Sequence, residues 1–288
     1  MSLSCLPDEV LKMVMQHVPL RDRLTNCCLV NRRLHAAAVA ATDQVMLATD
    51  HMTTKAFRWL ASYGHHVTKL HVDVCNTPLQ QLPCPNLQEL KFNCCSVQLE
   101  PTAGGQGIIE QCIKLTRLDL SCHIMDNPRI GGMSCLDRLQ QLQHLHVHPR
   151  GPWPAWHPYT IKGLPSSTLP CLQQLTYLSV QNLSVENLPQ LGSLTRLQGL
   201  SFGVTGATVF GPSTVHGLVF PDSLTSFHVQ TSVEGGVLSM LPTRLRVLEL
   251  GYVVQGPIEG LDLLLSGVAR QQHLTRLSIL SSEVQELE

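Results

Sequence analysis

An apolar residue followed by others three and five places on recurs nine times along this chain. The frame appears at Val67-Leu70-Val72, Leu87-Leu90-Phe92, Leu115-Leu118-Leu120, Leu142-Leu145-Val147 and Leu175-Leu178-Val180. It returns at Leu197-Leu200-Phe202, Leu224-Phe227-Val229, Leu245-Leu248-Leu250 and Leu274-Leu277-Ile279. Successive frames begin 20, 28, 27, 33, 22, 27, 21 and 29 residues apart. The last two apolar positions stand at i and i+2, so both side chains project to one side of a short strand. One such strand cannot bury its apolar face alone, and stacking each repeat on the next creates a continuous core. Two or three matches arise by chance in a Leu-rich chain; nine in order, one repeat apart, do not.

A period in the twenties on this frame is that of a leucine-rich repeat. The expected fold is an α/β leucine-rich-repeat solenoid, a curved horseshoe with parallel strands on its concave face. Short connections on the convex side should be 3₁₀ or extended. Longer ones have room for helix, as over 259–270, where Leu261, Leu264, Leu265 and Val268 share a face. Leu-Pro precedes a frame at Leu82-Pro83, Leu169-Pro170, Leu188-Pro189 and Leu241-Pro242. Proline donates nothing to a ladder and suits the return into a strand. The 33-residue interval holds an insertion, 149–170, with six prolines and Trp153 and Trp156. It reads as a loop whose two rings either anchor a partner or fold back over the solenoid.

Residues 6 to 41 follow a helical period instead. Leu6-Pro7-Asp8-Glu9 opens a helix, with proline pre-setting φ and two acids at the positive end of the dipole. Val10, Leu11, Val14, Met15 and Val18 share one face, and Pro19 ends the run. A second short helix is expected from about Arg21 through Cys28, and a third from Asn31 to Ala41. Between module and repeats, Val45-Met46-Leu47 can form an extended first strand. Thr53 to Tyr63 reads as a helix with Ala56, Phe57 and Leu60 on one face, stopped by Gly64. The predicted organisation is a helical module over 1–42, a linker and N-terminal cap over 43–66, and about nine repeats over 67–288.

Within the module, Leu6-Pro7-Asp8-Glu9-Val10-Leu11, Arg21-Asp22-Arg23-Leu24 and Leu29-Val30-Asn31-Arg32-Arg33-Leu34 together resemble an F-box. That family opens on Leu-Pro with an acid and paired aliphatics, has a middle Asp-Leu step and closes on Val-Cys-(Lys/Arg)-x-Trp. Here Asn31 stands for the Cys, Leu34 for the Trp, and Arg23 separates Asp22 from Leu24. With repeats directly following, nearly the whole chain resembles the F-box/leucine-rich-repeat proteins. The resemblance implies a substrate-recognition subunit of a cullin-based, SCF-type ubiquitin ligase. Its F-box would dock a Skp-type adaptor, and its repeats would hold a target protein. Carried over by position, Leu6, Pro7, Val10, Leu11, Val14, Leu24 and Val30 are the adaptor-facing candidates, or else pack the three helices against one another.

If the frame faces inward, its third, fifth and seventh positions face the concave side. The first rows are charged or imidazole-bearing: Lys69, His71 and Asp73; Glu89, Lys91 and Asn93; Arg117 and Asp119; His144, His146 and His148. These are the candidate target-binding residues. Later rows, such as Gly199, Ser201 and Gly203, turn small and neutral.

Composition narrows the classes. The 288 residues are 43% hydrophobic with a formal net charge of -1, and no basic stripe argues for nucleic acid. Nor does any apolar run approach the ~20 residues that span a bilayer. The first ten residues carry Asp8 and Glu9 and no apolar core of a secretory signal, so a cytoplasmic or nuclear location is expected. Eleven cysteines, an odd number with Cys27-Cys28 and Cys94-Cys95 adjacent, read as reduced, largely buried thiols. Cys75 and Cys95 fall where the repeat pattern takes Asn or Cys.

His144-x-His146-x-His148 is the one constellation with a chemical alternative, since alternate residues on a strand share a side and two imidazoles can chelate zinc. No HExxH or matched carboxylate accompanies it. Gly104-Gly105-Gln106-Gly107 lacks the Lys-Ser/Thr of a phosphate loop. The expectation is a non-catalytic protein without metal or cofactor. A ubiquitin-independent repeat scaffold stands as the second reading and a metal-dependent hydrolase at the His row as the third.

Overall fold

The computed structural model describes residues 6–47, 53–73, 82–93, 111–121, 133–148, 168–205, 209–210, 218–252 and 266–280. The 149–170 insertion with both tryptophans, Cys75, Cys95 and Gly104–Gly107 lie outside them, apart from the insertion's last residues. Of the 259–270 segment, residues 266–269 are helical, and Leu261, Leu264 and Leu265 are outside the described residues.

The N-terminal module is built from α1 (Asp8–Gln16), a run made of α2 (Leu20–Asp22), a π-helical turn (Arg23–Cys27) and α3 (Cys28–Val30), and α4 (Arg32–Ala40). Pro7 precedes α1 with Asp8 and Glu9 in its first turn. Asn31, extended at φ -163° and ψ 167°, breaks the second run, and its side chain accepts a hydrogen bond from Leu34 N at 2.9 Å, capping α4. Leu11, Met15, Leu34, Ala37, Ala38 and Ala41 form the module's own core.

The solenoid then begins one strand earlier than the apolar frame indicates. β1 (Gln44–Leu47) pairs in parallel with β2 (Lys69–Val72), and α5 (Thr53–Tyr63) lies between them in sequence. By that register Thr42 takes the frame's first position: it is fully buried, and its hydroxyl donates to Ala38 O at 2.8 Å in α4. One side chain thus serves both the helical module and the first coil. The expected stop at Gly64 has a different cause from a left-handed helix end. Gly64 starts a 3₁₀ turn (Gly64–His66), and a Cβ there would sit 2.1 Å from Pro83 O, so glycine is required by the close approach of the next coil.

The remaining strands are β3 (Glu89–Asn93), β4 (Arg117–Ser121), β5 (His144–Val147), β6 (Tyr177–Ser184), β7 (Gly199–Thr205), β8 (Val209–Phe210), β9 (Ser226–Val229), β10 (Ser232–Val233), β11 (Val247–Tyr252) and β12 (Arg276–Leu280). Ten of them form one parallel sheet in the order β1-β2-β3-β4-β5-β6-β7-β9-β11-β12, while β8 and β10 pair separately. Frame residues from Val67 to Leu250 are at most 4% exposed. On the convex side, 3₁₀ segments at Met133–Arg138, Leu169–Cys171, Val185–Ser193 and Gly235–Met240 carry further buried leucines. Pro170 and Pro189 lie inside such 3₁₀ segments, so there the Leu-Pro step shapes the convex turn more than the entry to a strand. Phe202, Phe210, Phe220 and Phe227 fill the core edge-to-face, with ring centroids 5.1 to 5.7 Å apart.

A second ladder runs beside the sheet at the frame's second position. Thr68, Thr116, Thr176, Thr225 and Thr275 each donate their hydroxyl to the carbonyl of the preceding coil's second residue, at 2.9 to 3.2 Å. The coils between them carry Gln88, Gln143, Gln198 and Arg246 at that position. Intervals leaving a threonine coil are 20, 27, 22 and 21 residues, and those entering one are 28, 33, 27 and 29. The solenoid is therefore paved in pairs of unlike coils. Gln143 O already accepts backbone bonds from Thr176 N (2.8 Å) and Tyr177 N (3.0 Å), so each hydroxyl is one more donor to a shared acceptor. Thr176→Val is expected to lower stability by about 0.5–1 kcal/mol, read as a shift of the urea midpoint. An unchanged midpoint would show that the hydroxyl ladder is passive.

The C-terminal end differs from the middle. Leu277 and Ile279 on β12 are 44% and 39% exposed, whereas their counterparts Leu248 and Leu250 on β11 are 0% and 1%. Cys84 and Cys112 are buried, and burial pushes their thiols up to about 11 and about 12, so both stay protonated and apolar at neutral pH. Cys171 is exposed and Cys27 half-buried.

Candidate functional site

The parallel register sets the predicted polar residues in rows across the strands. In the first row, Glu89 lies 3.6 Å from both Lys69 Nζ and Arg117 Nε. In the second, Lys91 Nζ is 3.7 Å from Asp119, whose other oxygen accepts from Ser121 Oγ at 2.9 Å. The third row starts with a tight cluster. Asn93 Nδ2 donates to Asp73 Oδ1 at 2.6 Å, and His71 Nε2 is 2.8 Å from the same carboxylate oxygen and 2.7 Å from the amide nitrogen. One ring nitrogen thus serves two neighbours, donating to Asp73 when it carries a proton.

The Lys and Arg pairs of the first two rows are long and partly exposed, at 3.6 to 3.7 Å, so each contributes about 0–1 kcal/mol to stability. Their consequence is presentation: charges are held at fixed spacings. His144 stands against Tyr177 with ring centroids 6.1 Å apart. Its pKa is lowered by burial and by the Arg117 guanidinium, against a smaller upward pull from Glu89. His146 and His148 stack with centroids 5.1 Å apart and planes within 6°. The structure thus gathers all eleven candidates from Lys69 to His148 onto one face.

Further along, Tyr177 lies over the neighbouring strand, where a Cβ on Gly199 would meet its ring at 2.6 Å. Ser179 and Ser201 are buried beside it. The tyrosine row has no linear signal, because its glycine partner is 22 residues on. Ser201, His228 and Glu249 look at first like a nucleophile-base-acid set. Ser201 Oγ is 3.4 Å and Glu249 Oε2 is 3.6 Å from the same nitrogen, His228 Nδ1. A proton relay needs the two ring nitrogens to face opposite partners, so this is no catalytic triad. Glu249 also pairs with Arg276 at 3.0 Å. Among the described residues no group of three or more His, Cys, Asp or Glu is placed to hold a metal ion. The hydrolase reading finds no site there.

The helical module divides its candidates. Leu11 is fully buried in the module's own core and so does not face an adaptor; it is a packing residue, a correction to its place among the docking candidates. Leu6 is half-buried against that core, and Val10 is half-buried. Pro7 is exposed, Val14 is 38% exposed and Val30 66%. Leu24 lies in the π-helical turn, and its side chain is not described. Met13 and Leu29, 56% and 84% exposed, are further uncovered apolar residues of the module that were not among the positions carried over from the F-box pattern. Their signal is negative: they are the apolar residues left over once the core face is assigned. The module is also fixed to the solenoid. His35 Nε2 lies 3.1 Å from Tyr63 Oη on α5, and Thr42 bridges α4 and the first coil.

Residues 3–39 match the family model of the F-box domain. The chain carries an F-box domain followed by a leucine-rich-repeat solenoid. Two of the three departures from the F-box pattern have roles here, since Asn31 caps α4 and Leu34 is buried in the bundle. No curated protein matches the chain. Similar solved structures include a leucine-rich-repeat protein of Leptospira interrogans, at 13% identity and TM-score 0.46, covering 88% of this chain and 76% of that one. An internalin of Listeria monocytogenes is similar at 16% identity and TM-score 0.32, covering 78% of this chain and 85% of its own. The F-box and the repeats are both interaction modules. Among the described residues, no helix of the protein is long and apolar enough to cross a membrane.

Proposed function

We propose that this F-box/leucine-rich-repeat protein is the target receptor of an SCF-type, cullin-based ubiquitin ligase. Its F-box docks a Skp-type adaptor, and the strand face holds a target protein. The observation that carries the reading is the apolar surface left uncovered on the F-box, Met13, Val14, Leu29 and Val30, on a module joined through Thr42 and His35 to the repeats. Exposed large apolar groups on a small helical module have the chemistry of an interface core. The fixed joint gives the mechanism: a target on the repeats is held at a set distance from the adaptor, which raises its effective concentration beside the transfer machinery.

The protein itself performs no chemistry in this scheme, which needs neither metal nor cofactor. The scheme places the protein in the cytoplasm or nucleus. The test is capture of a purified Skp-type adaptor by the full chain, followed by co-purification of a cullin. Capture supports the ligase role. A folded chain that takes up no adaptor sinks it and leaves a repeat scaffold whose helices only cap the solenoid.

A further inference from the structure

Coiling brings together cations that are far apart in sequence. Three rows line the edge where the chain enters the strands: the residue before each frame, the frame's second residue and its third. Side chains show that the first row is continuous. Lys114 Nζ donates to Asn86 Oδ1 of the preceding coil at 2.7 Å, Asn86 Nδ2 to His65 O at 2.7 Å, and Arg196 to Gln174 Oε1. The backbone bonds at the threonine ladder align the second row, and the strand register aligns the third.

In these rows the first carries Lys114, Arg196 and Arg244 with no carboxylate, and the second carries Arg246 against Asp43 of the first coil. The third carries Lys69, Arg117 and Arg276 against a single acid, Glu89. That acid is already shared between Lys69 and Arg117. Seven cations face two carboxylates along this rim, Asp43 at its N-terminal end and Glu89, in a chain whose formal net charge is -1. Just outside the rows, Glu249 pairs with one of the seven, Arg276, at 3.0 Å. All seven cations are exposed on the surface or half-exposed in ion pairs. The other rim positions are filled mainly by Gln, Thr, Asn, Ser and His, which can hydrogen-bond a peptide backbone.

We infer that this rim is a docking surface for an acidic, Asp/Glu-rich peptide segment of the bound protein. Geometry sets the period of the ligand. Strands are about 4.8 Å apart and an extended peptide advances about 3.3 Å per residue. Arg196 and Arg244 stand two strands apart, and Lys114 and Arg196 three, so carboxylates every third or fourth residue meet successive cations. Nucleic acid is the poorer fit, because single-stranded ligands need aromatic stacking platforms and Tyr177 is the only Phe, Tyr or Trp in the three rows. The inference rests on the target-receptor reading for the partner being a protein, but its assay contains no adaptor, so either can fail alone.

The test titrates the full chain, at low salt, into a fluorescent peptide of about 15 residues with Glu at every third position. Two triple reversals are compared: Arg196→Glu/Arg244→Glu/Arg246→Glu on the rim and Lys12→Glu/Arg21→Glu/Arg32→Glu on the F-box. The expected result is saturable binding that weakens as salt is raised, at least about ten-fold weaker in the rim variant and nearly unchanged in the other. Should the rim triple melt early, the Arg→Gln triple replaces it. No peptide binding, equal loss in both triples, or a single-stranded oligonucleotide binding as tightly as the peptide would each overturn the inference.

Discussion

Replacing Leu29 and Val30 together by Asp is expected to abolish the proposed capture of a Skp-type adaptor, with affinity falling at least about 100-fold, while the melting curve of the free chain hardly moves. The two side chains are 84% and 66% exposed, so the free protein loses almost no buried apolar area. In a complex each would contribute about 1.5–3 kcal/mol by burial, and a carboxylate in its place adds an unpaired charge to the interface. Two such losses exceed the 1.4 kcal/mol that makes a factor of ten. Quantitative binding with purified adaptor is the readout, and unchanged affinity in a folded variant would remove these residues from the interface. Leu11→Asp makes the useful contrast: buried at 0% in the bundle core, it should unfold the F-box outright and report on folding, not docking.

The second large effect is on the repeats. Phe227 holds a frame position, is fully buried and packs edge-to-face on Phe202 at 5.7 Å and on Phe220 at 5.2 Å. Phe227→Ala is expected to cost about 3–5 kcal/mol, as loss of ring burial and the cavity left behind add together. In a solenoid each coil is supported by its neighbours, so protection from hydrogen exchange should fall in β7, β9 and β11 before the N-terminal strands. A loss below about 1 kcal/mol would mean the core has collapsed around the gap.

How much of this was legible beforehand differs by level. The frame from Val67 to Ile279 specified nine strands and their inward faces, because burial on one side imposes a strict period. The first strand, Gln44–Leu47, was readable at Val45-Met46-Leu47 but not as part of the frame, because Thr42 stands where the frame has an apolar residue; its bond to Ala38 shows why a hydroxyl is tolerated there. The polar strand face followed from the same register and was readable residue by residue. The F-box docking surface was readable only in part, since helical period cannot separate Leu11, which packs inward, from Val30, which does not. The basic rim was invisible. Lys69, Lys114, Arg196 and Arg244 lie 45 to 82 residues apart in turn, and no window along the sequence sees them together.

The pairing of unlike coils has a bearing on how such a chain can lengthen or shorten. A single coil removed from the middle would set two threonine coils, or two glutamine coils, side by side, and one hydroxyl would lose its place in the series. Excising 175–223 instead takes out one threonine coil and one glutamine coil together and rejoins Gln143 to Thr225. The natural unit of duplication and loss is then two coils, roughly 50 residues, and the arc grows by even steps.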